Sequence, residues 1–357
     1  MNQEIKLEQL ASLLEGKKVL LVCGRSFDGL SIKDVVEKAC SGTVRFTDFS
    51  PNPVYEDVCK GVALFKRDGC DAILAVGGGS AIDVAKCIKL FAPMDTQEIY
   101  LNQKIIETDI PFIAVPTTAG SGSESTRHVV IYYQNNKQSI SHDMAVPNFY
   151  VLEPSTLQGL SLYQKKCTLL DALCQGIESW WSVNSTEESI LYSKNAIRLI
   201  VDNWKEYIEQ NIIDAASQIM RASNYAGKAI NITSTTAAHA MSYKITTMYG
   251  IPHGHAVAIC MRYVWEHLIN NINKCIDIRG DDYLRHTLDD IHSLISIDYF
   301  NRLIDEMGMQ SPALYDKADQ LEILTKSVNL DRLKNYPVLL NKDEIKDMYK
   351  RIIRNES

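Results

Sequence analysis

The features this sequence lacks narrow it first. Its nine cysteines (23, 40, 59, 70, 87, 167, 174, 260 and 275) contain no C-x-x-C pair. An odd, scattered set excludes a disulfide framework and reads as reduced thiols. No apolar run approaches the roughly 20 residues of a membrane helix. The opening MNQEIKLEQLASLLEGKK is charged from the start and carries no apolar signal core. Excess positive charge is also missing, since the formal net charge is −7. A nucleic-acid or anionic-membrane partner is therefore not expected, and the charge balance leaves room for a local basic pocket that takes a small anion. Internal repeats, low-complexity segments and long linkers are absent. With 46% hydrophobic and 23% charged residues, the 357-residue chain has the composition of a soluble globular protein with a substantial core. The expected location is the cytoplasm.

The first part of the chain alternates strand-like and helix-like segments. KKVLLVCG (17–24) reads as a strand ending in glycine, SIKDVVEKAC (31–40) as a helix and VRFTDF (44–49) as a strand. A helix follows PNP (51–53), CDAILAVGGGS (70–80) is a buried strand running into glycines, AIDVAKCIKLFA (81–92) is a helix and PFIAVPTT (111–118) a strand. Such alternation with short links predicts a doubly wound, mostly parallel sheet. HVVIYYQNNKQSIS then predicts a hairpin turning at Asn135-Asn136. From about residue 160 onward helical periodicity runs nearly throughout. The predicted organisation is an α/β domain over 1–158 and an all-helical domain over 159–357.

Four stretches carry chemistry. AVGGGSAIDVAK (75–86) is a strand, a triple glycine and a helix start, where free N–H groups suit a pyrophosphate. A tight turn needing only glycine explains it equally. TTAGSGSES (117–125) places a second small-residue loop after another strand end, which favours nucleotide binding. In LLDALCQGIES (169–179), Asp171 and Gln175 lie one helical turn apart on one face. A carboxylate in so apolar a run needs a cation or a donor, so it is either a metal ligand or a hydrogen-bonded packing residue. HAMSYKITTMYGIPHGHA adds His239, His253 and His255. Asp plus two His suits a divalent metal with open positions for substrate.

In this order and spacing, GGGSAIDVAK, TTAGSGSE, DALCQGIES and HAM…PHGHA resemble the iron-containing (group III) alcohol dehydrogenase family, from about residue 15 to about 270. The resemblance implies an NAD(P)H-dependent alcohol dehydrogenase or aldehyde reductase with the dehydroquinate synthase-like fold. Its nicotinamide cofactor would be held by Gly77, Gly78, Gly79, Ser80, Asp83, Thr117, Thr118, Ser121 and Lys137. The metal ligands would be Asp171, His239 and His253, with Gln175 where the family has a fourth ligand, His. The amide oxygen is the weaker donor, which leaves the metal open between Fe²⁺ and Zn²⁺. Tyr243 stands where the family commonly has a second His near the substrate, in an H-A-M-A-H pattern. Tyr243 and His255 are the candidate catalytic groups, with His255 or a metal-bound water expected to supply the proton.

Gly24, Arg25 and Ser26 follow the first long strand, where NAD-preferring members usually carry Asp; a nearby guanidinium suits the 2′-phosphate of NADPH over NADH. ESWWSVNSTEES and the histidine stretch are most similar to the phosphonoacetaldehyde reductase branch. Such a substrate makes Arg127 and Lys244 candidate anion anchors. Members of the family are usually homodimers. The alternatives are a reductase of another small aldehyde, a lyase of the dehydroquinate synthase kind, and a nucleotide-binding protein whose metal site is silent.

Overall fold

The computed structural model describes residues 2–355 apart from 41, 135, 315 and 316. The chain divides into two compact units, residues 1–160 with 211–220, and residues 161–210 with 221–357.

The first unit is built on a parallel six-stranded sheet. Its strands are β1 (Gln3–Glu4), β2 (Val19–Cys23), β3 (Val44–Phe46), β4 (Ala72–Gly77), β5 (Phe112–Pro116) and β8 (Phe149–Tyr150), in the order β1-β8-β5-β4-β2-β3. Between them run α1 (Leu10–Leu13), α2 (Lys33–Ala39), α3 (Tyr55–Arg67) and α4 (Gly79–Phe91). The strands read as continuous apolar runs because both faces are covered. Leu20, Val22, Ile73, Ala75, Phe112 and Ala114 face one core, with Val58, Val62 and Phe65 of α3. The alternate residues Val19, Leu21, Cys23, Leu74, Val76, Ile113 and Val115 face the other, with Leu10 and Val36. This is the period-two alternation of a strand buried on both sides. The chain leaves β2 toward β3 and β4 toward β5, so the strand order reverses between β2 and β4. Gly24 and the triple glycine sit at their carboxyl ends, at the switch point where doubly wound sheets bind ligands.

The hairpin is β6 (His128–Tyr133) against β7 (Asn136–Ser141), antiparallel, with Tyr133 opposite Asn136. Asn136 is thus the first residue of β7 rather than part of the turn. Gln134 in the turn has a φ of 50°, and Asn135 lies outside the described residues.

The second unit is helical: α5 (Leu162–Trp181), α6 (Glu187–Lys205), α7 (Ile213–Thr233, whose first turns group with the first unit), α8 (Ala237–Tyr249), α9 (His253–Asn270), α10 (Asp281–Leu294), α11 (Ile297–Glu306), α12 (Lys317–Ser327), α13 (Leu330–Leu333) and α14 (Lys342–Ile352). It is not entirely helical, because β9 (Ala313–Leu314) and β10 (Arg354–Asn355) form a short parallel pair. Helix α5 is the centre. Ser161 caps it by accepting from the Gln164 N–H at 3.2 Å, and every residue from Leu169 to Trp181 is buried. A surface helix would show a polar stripe; here polar side chains are instead held by partners inside the bundle. Among the described residues no helix is long and apolar enough to cross a membrane.

Candidate active site

Helices α5, α8 and α9 bring three separated motifs to one point. Asp171 lies in the buried middle of α5, His239 in the first turn of α8, and His253 is the first residue of α9. One donor atom from each of the three side chains lies within 4.8 Å of the others. His239 Nε2 is 3.3 Å from Asp171 Oδ1, and the two imidazole rings stand 5.4 Å apart at 63°. Gln175, one turn beyond Asp171, is buried, and its Oε1 has no hydrogen-bond partner. A buried acceptor left unpaired is rare and costly. Gln175 also hydrogen-bonds the Asp171 carboxylate, so an unpaired buried acceptor belongs to a side chain that touches the cluster, and the residues present fit a divalent ion.

Glu178, two turns beyond Asp171 on α5, explains how His239 is held. It is fully buried and hydrogen-bonds His239 Nδ1. It also accepts from Thr236 Oγ1 at 2.7 Å and from the Ala238 N–H at 2.8 Å, where the start of α8 offers unsatisfied N–H groups. Trp181 in turn donates its indole N–H to Thr236 at 3.1 Å. A carboxylate on one imidazole nitrogen fixes the tautomer that leaves the other nitrogen for a metal. Burial alone would favour the neutral forms of all three groups. Instead the charges hold one another: burial opposes a charged His239, but Glu178 and Asp171 push its pKa up to about 9. Both carboxyls are held below their usual range despite burial, Asp171 by His239 and His253, Glu178 by His239 and Thr236. Glu178 is the functional residue that motif reasoning missed. Its signal was present as a second carboxylate in the same apolar helix.

Gly254 sets the position of His253. A Cβ there would run into the carbonyl oxygen of Cys167 and lie 2.9 Å from the Cβ of Asp171. Only glycine lets the start of α9 press this closely on the backbone of α5.

The other candidate residues distribute as follows. His255 is engaged at both nitrogens, at Nδ1 by the Tyr163 hydroxyl at 2.8 Å and at Nε2 by the Gln310 carbonyl at 2.9 Å. Burial pushes its pKa down. Tyr243 stacks on His253 with ring centres 5.2 Å apart and planes 3° from parallel. Lys244 follows it on α8, half-buried. Arg127 lies in the first unit and pairs with Asp143 at 2.9 Å.

In that first unit the two small-residue loops are in contact. A Cβ on Gly78 would meet Thr118 at 3.2 Å, and one on Gly79 would meet Ser121 Oγ at 2.9 Å. The Thr117 N–H donates to the Gly77 carbonyl at 3.0 Å, joining the loops. Helix α4 begins at Gly79, with Ser80 in its first turn, and so presents its N-terminal N–H groups beside them. Asp83 accepts from Ser123 Oγ at 2.7 Å and from the Val130 N–H at 3.0 Å, tying the second loop and β6 to α4. Lys86 beneath it is fully buried and donates to Thr126 and to the His128 carbonyl. Lys137 sits on β7 opposite Tyr132. Arg25 and Ser26 are exposed just after Gly24.

Residues 2–154 match the family described as iron-containing alcohol dehydrogenase, and residues 166–353 match the C-terminal region of the Fe-containing alcohol dehydrogenase family. The chain is similar to phosphonoacetaldehyde reductase of Streptomyces viridochromogenes, with 32% identity over 61% of this chain and 59% of that protein, so the match spans less than two thirds of that relative's length. It is 33% identical to 1,3-propanediol dehydrogenase of Klebsiella pneumoniae over 74% of this chain and 72% of that one. Among solved structures it is similar to sulfoacetaldehyde reductase from Bifidobacterium kashiwanohense in complex with NAD+, with a TM-score of 0.86 and 25% identity, covering 99% of this chain and 96% of that one.

Proposed function

Because the chain belongs to the iron-containing alcohol dehydrogenase family, we propose that it is a metal-dependent, nicotinamide-linked reductase that converts phosphonoacetaldehyde to 2-hydroxyethylphosphonate. The observation that carries the reductase reading is the cluster of Asp171, His239 and His253, with Gln175, whose buried side-chain oxygen is unpaired, one helical turn from Asp171. The substrate reading is supported by the similarity to a phosphonoacetaldehyde reductase and to a reductase of another small anionic aldehyde.

When bound, the divalent ion supplies electrophilic polarisation of a carbonyl oxygen, and the reduced nicotinamide supplies hydride. The chain's own residues do the rest. Asp171, His239, His253 and Gln175 hold the ion, and Glu178 holds His239 in the ligating tautomer. The start of α4, with Gly77, Gly78, Gly79 and Ser80, receives the cofactor pyrophosphate, and Thr117, Thr118 and Ser121 wall the same loop. Arg25, exposed after β2, receives a 2′-phosphate and favours NADPH over NADH. Asp83 and Lys86 position the loop from beneath it. His255, engaged at both nitrogens, braces the first turn of α9 rather than delivering a proton.

The test follows NADPH and NADH oxidation with phosphonoacetaldehyde and with propanal, after chelation and after reloading with Fe²⁺ or Zn²⁺. Metal-dependent turnover of phosphonoacetaldehyde supports the reading. Turnover of propanal alone removes the phosphonate, and turnover that survives chelation removes the metal.

A further inference from the structure

Arg332, on the short helix α13, belongs to no motif in the sequence. Its guanidinium donates through Nη1 to Thr235 Oγ1 at 2.9 Å. Its central carbon lies 5.3 Å from the centre of the Tyr243 ring. Tyr243 is itself stacked on His253, and Thr236, next to Thr235, is the residue that donates to Glu178. Arg332 is therefore fixed to the framework that carries two of the metal ligands.

Among the described residues it has no counter-charge. Three other partly buried arginines of this structure pair with carboxylates: Arg127 with Asp143, Arg262 with Asp305 and Arg279 with Asp277. Among the described residues no carboxylate pairs with Arg332, whose contacts are a hydroxyl and an aromatic face. A guanidinium carries five N–H donors, and the described residues use one of them. A half-buried cation without a carboxylate, holding most of its donors in reserve, is built to receive an anion from outside the chain. Tyr243 completes the arrangement. A histidine there, as in the resembled family, would set a second basic group beside the guanidinium, whereas the tyrosine ring offers it a π face.

We propose that Arg332, held by Thr235 and Tyr243 beside His253, binds the phosphonate group of the substrate and selects aldehydes that carry a tetrahedral oxyanion. The proposal rests on the reductase reading above and names the side chain that recognises its substrate. It replaces Arg127, which is paired with Asp143, and Lys244, which the helical rotation of about 100° per residue turns away from Tyr243.

The test uses the full-length, metal-loaded protein and two variants, Arg332→Ala and Arg332→Gln; the glutamine keeps a donor for Thr235 and removes the charge. Calorimetry measures ethylphosphonate, which has no carbonyl to reduce, and steady-state kinetics compare phosphonoacetaldehyde with propanal. Both variants should weaken ethylphosphonate binding and raise the KM for phosphonoacetaldehyde by about 30-fold, as expected for losing a charge-assisted pair. The kcat/KM for propanal and the affinity for NADPH should stay as in the wild type. Arg332→Lys should recover only part of the loss, because a point charge does not reproduce the planar fork. Unchanged ethylphosphonate affinity in the folded variants overturns the proposal. So does a loss of NADPH affinity with phosphonate binding retained, which would assign the arginine to a cofactor phosphate. If the wild type reduces no aldehyde, the reductase reading fails by itself, and ethylphosphonate binding still decides whether Arg332 is an anion site.

Discussion

Replacing Gln175 with methionine should act in opposite directions on the metal-free and metal-loaded protein. In the metal-free protein, Oε1 of Gln175 is a buried acceptor without a partner. Removing it relieves a desolvation penalty of about 2 kcal/mol. The amide also steadies the Asp171 carboxylate, and losing that hydrogen bond costs about 1 kcal/mol. Methionine fills a similar volume, so no cavity term enters. The net expectation is a gain of about 1 kcal/mol, or about 2 °C in Tm for a protein of this size. With metal the sign reverses, because a ligand oxygen has been exchanged for a thioether that hard cations bind poorly. Affinity for Fe²⁺ or Mn²⁺ should fall by about tenfold or more, as it does when a ligand's support is lost. Thermal melts of chelated protein and a competition titration with a chromophoric chelator measure the two effects separately. A variant that binds metal as tightly as the wild type would refute the role given to the Gln175 oxygen. A chelated variant that melts lower would refute the assignment of that oxygen as a cost in the metal-free state.

Two further predictions concern the same centre. Gly254→Ala should destabilise the second unit by about 3 kcal/mol and lower its metal content, because the added methyl meets the Cys167 carbonyl and displaces His253; a folded variant with normal metal content would show that α9 need not sit so close. The charged His239 of the metal-free protein, with its pKa pushed up to about 9, contributes stability that is fully present below its ordinary value of about 6.5 and is lost as pH rises through about 9. A divalent ion must displace that proton, so apparent metal affinity should rise by up to tenfold per pH unit toward about pH 9 and then flatten; affinity that is level with pH over this range would contradict it.

The parts of the fold and site legible in the sequence are those whose partners are close in the chain. Continuous apolar runs marked β2, β4 and β5, the first two ending in glycine and the third in Pro-Thr-Thr. The spacing of Asp171 and Gln175 put them on one face of a helix because one turn separates them whatever surrounds the helix. Glu178 was visible as a buried carboxylate in that helix, yet its role depends on the Ala238 N–H, 60 positions away. Nothing local marked Arg332, since the hydroxyl and ring that hold it lie in α8 and the residues before it.

Local periodicity and residue chemistry alone therefore determined the long strands and helices, where glycine frees the backbone, and which side chains can bind a metal or a phosphate, but not two-residue strands such as β1, β9 and β10. Tertiary structure decided the rest: the edge pairing of β1 with β8, the approach of α9 to α5 through Gly254, the carboxylate behind His239, and the guanidinium beside Tyr243. The physical reason is that burial makes polar groups find partners. Which partner each finds is set by the packing of distant helices, not by its neighbours in the chain.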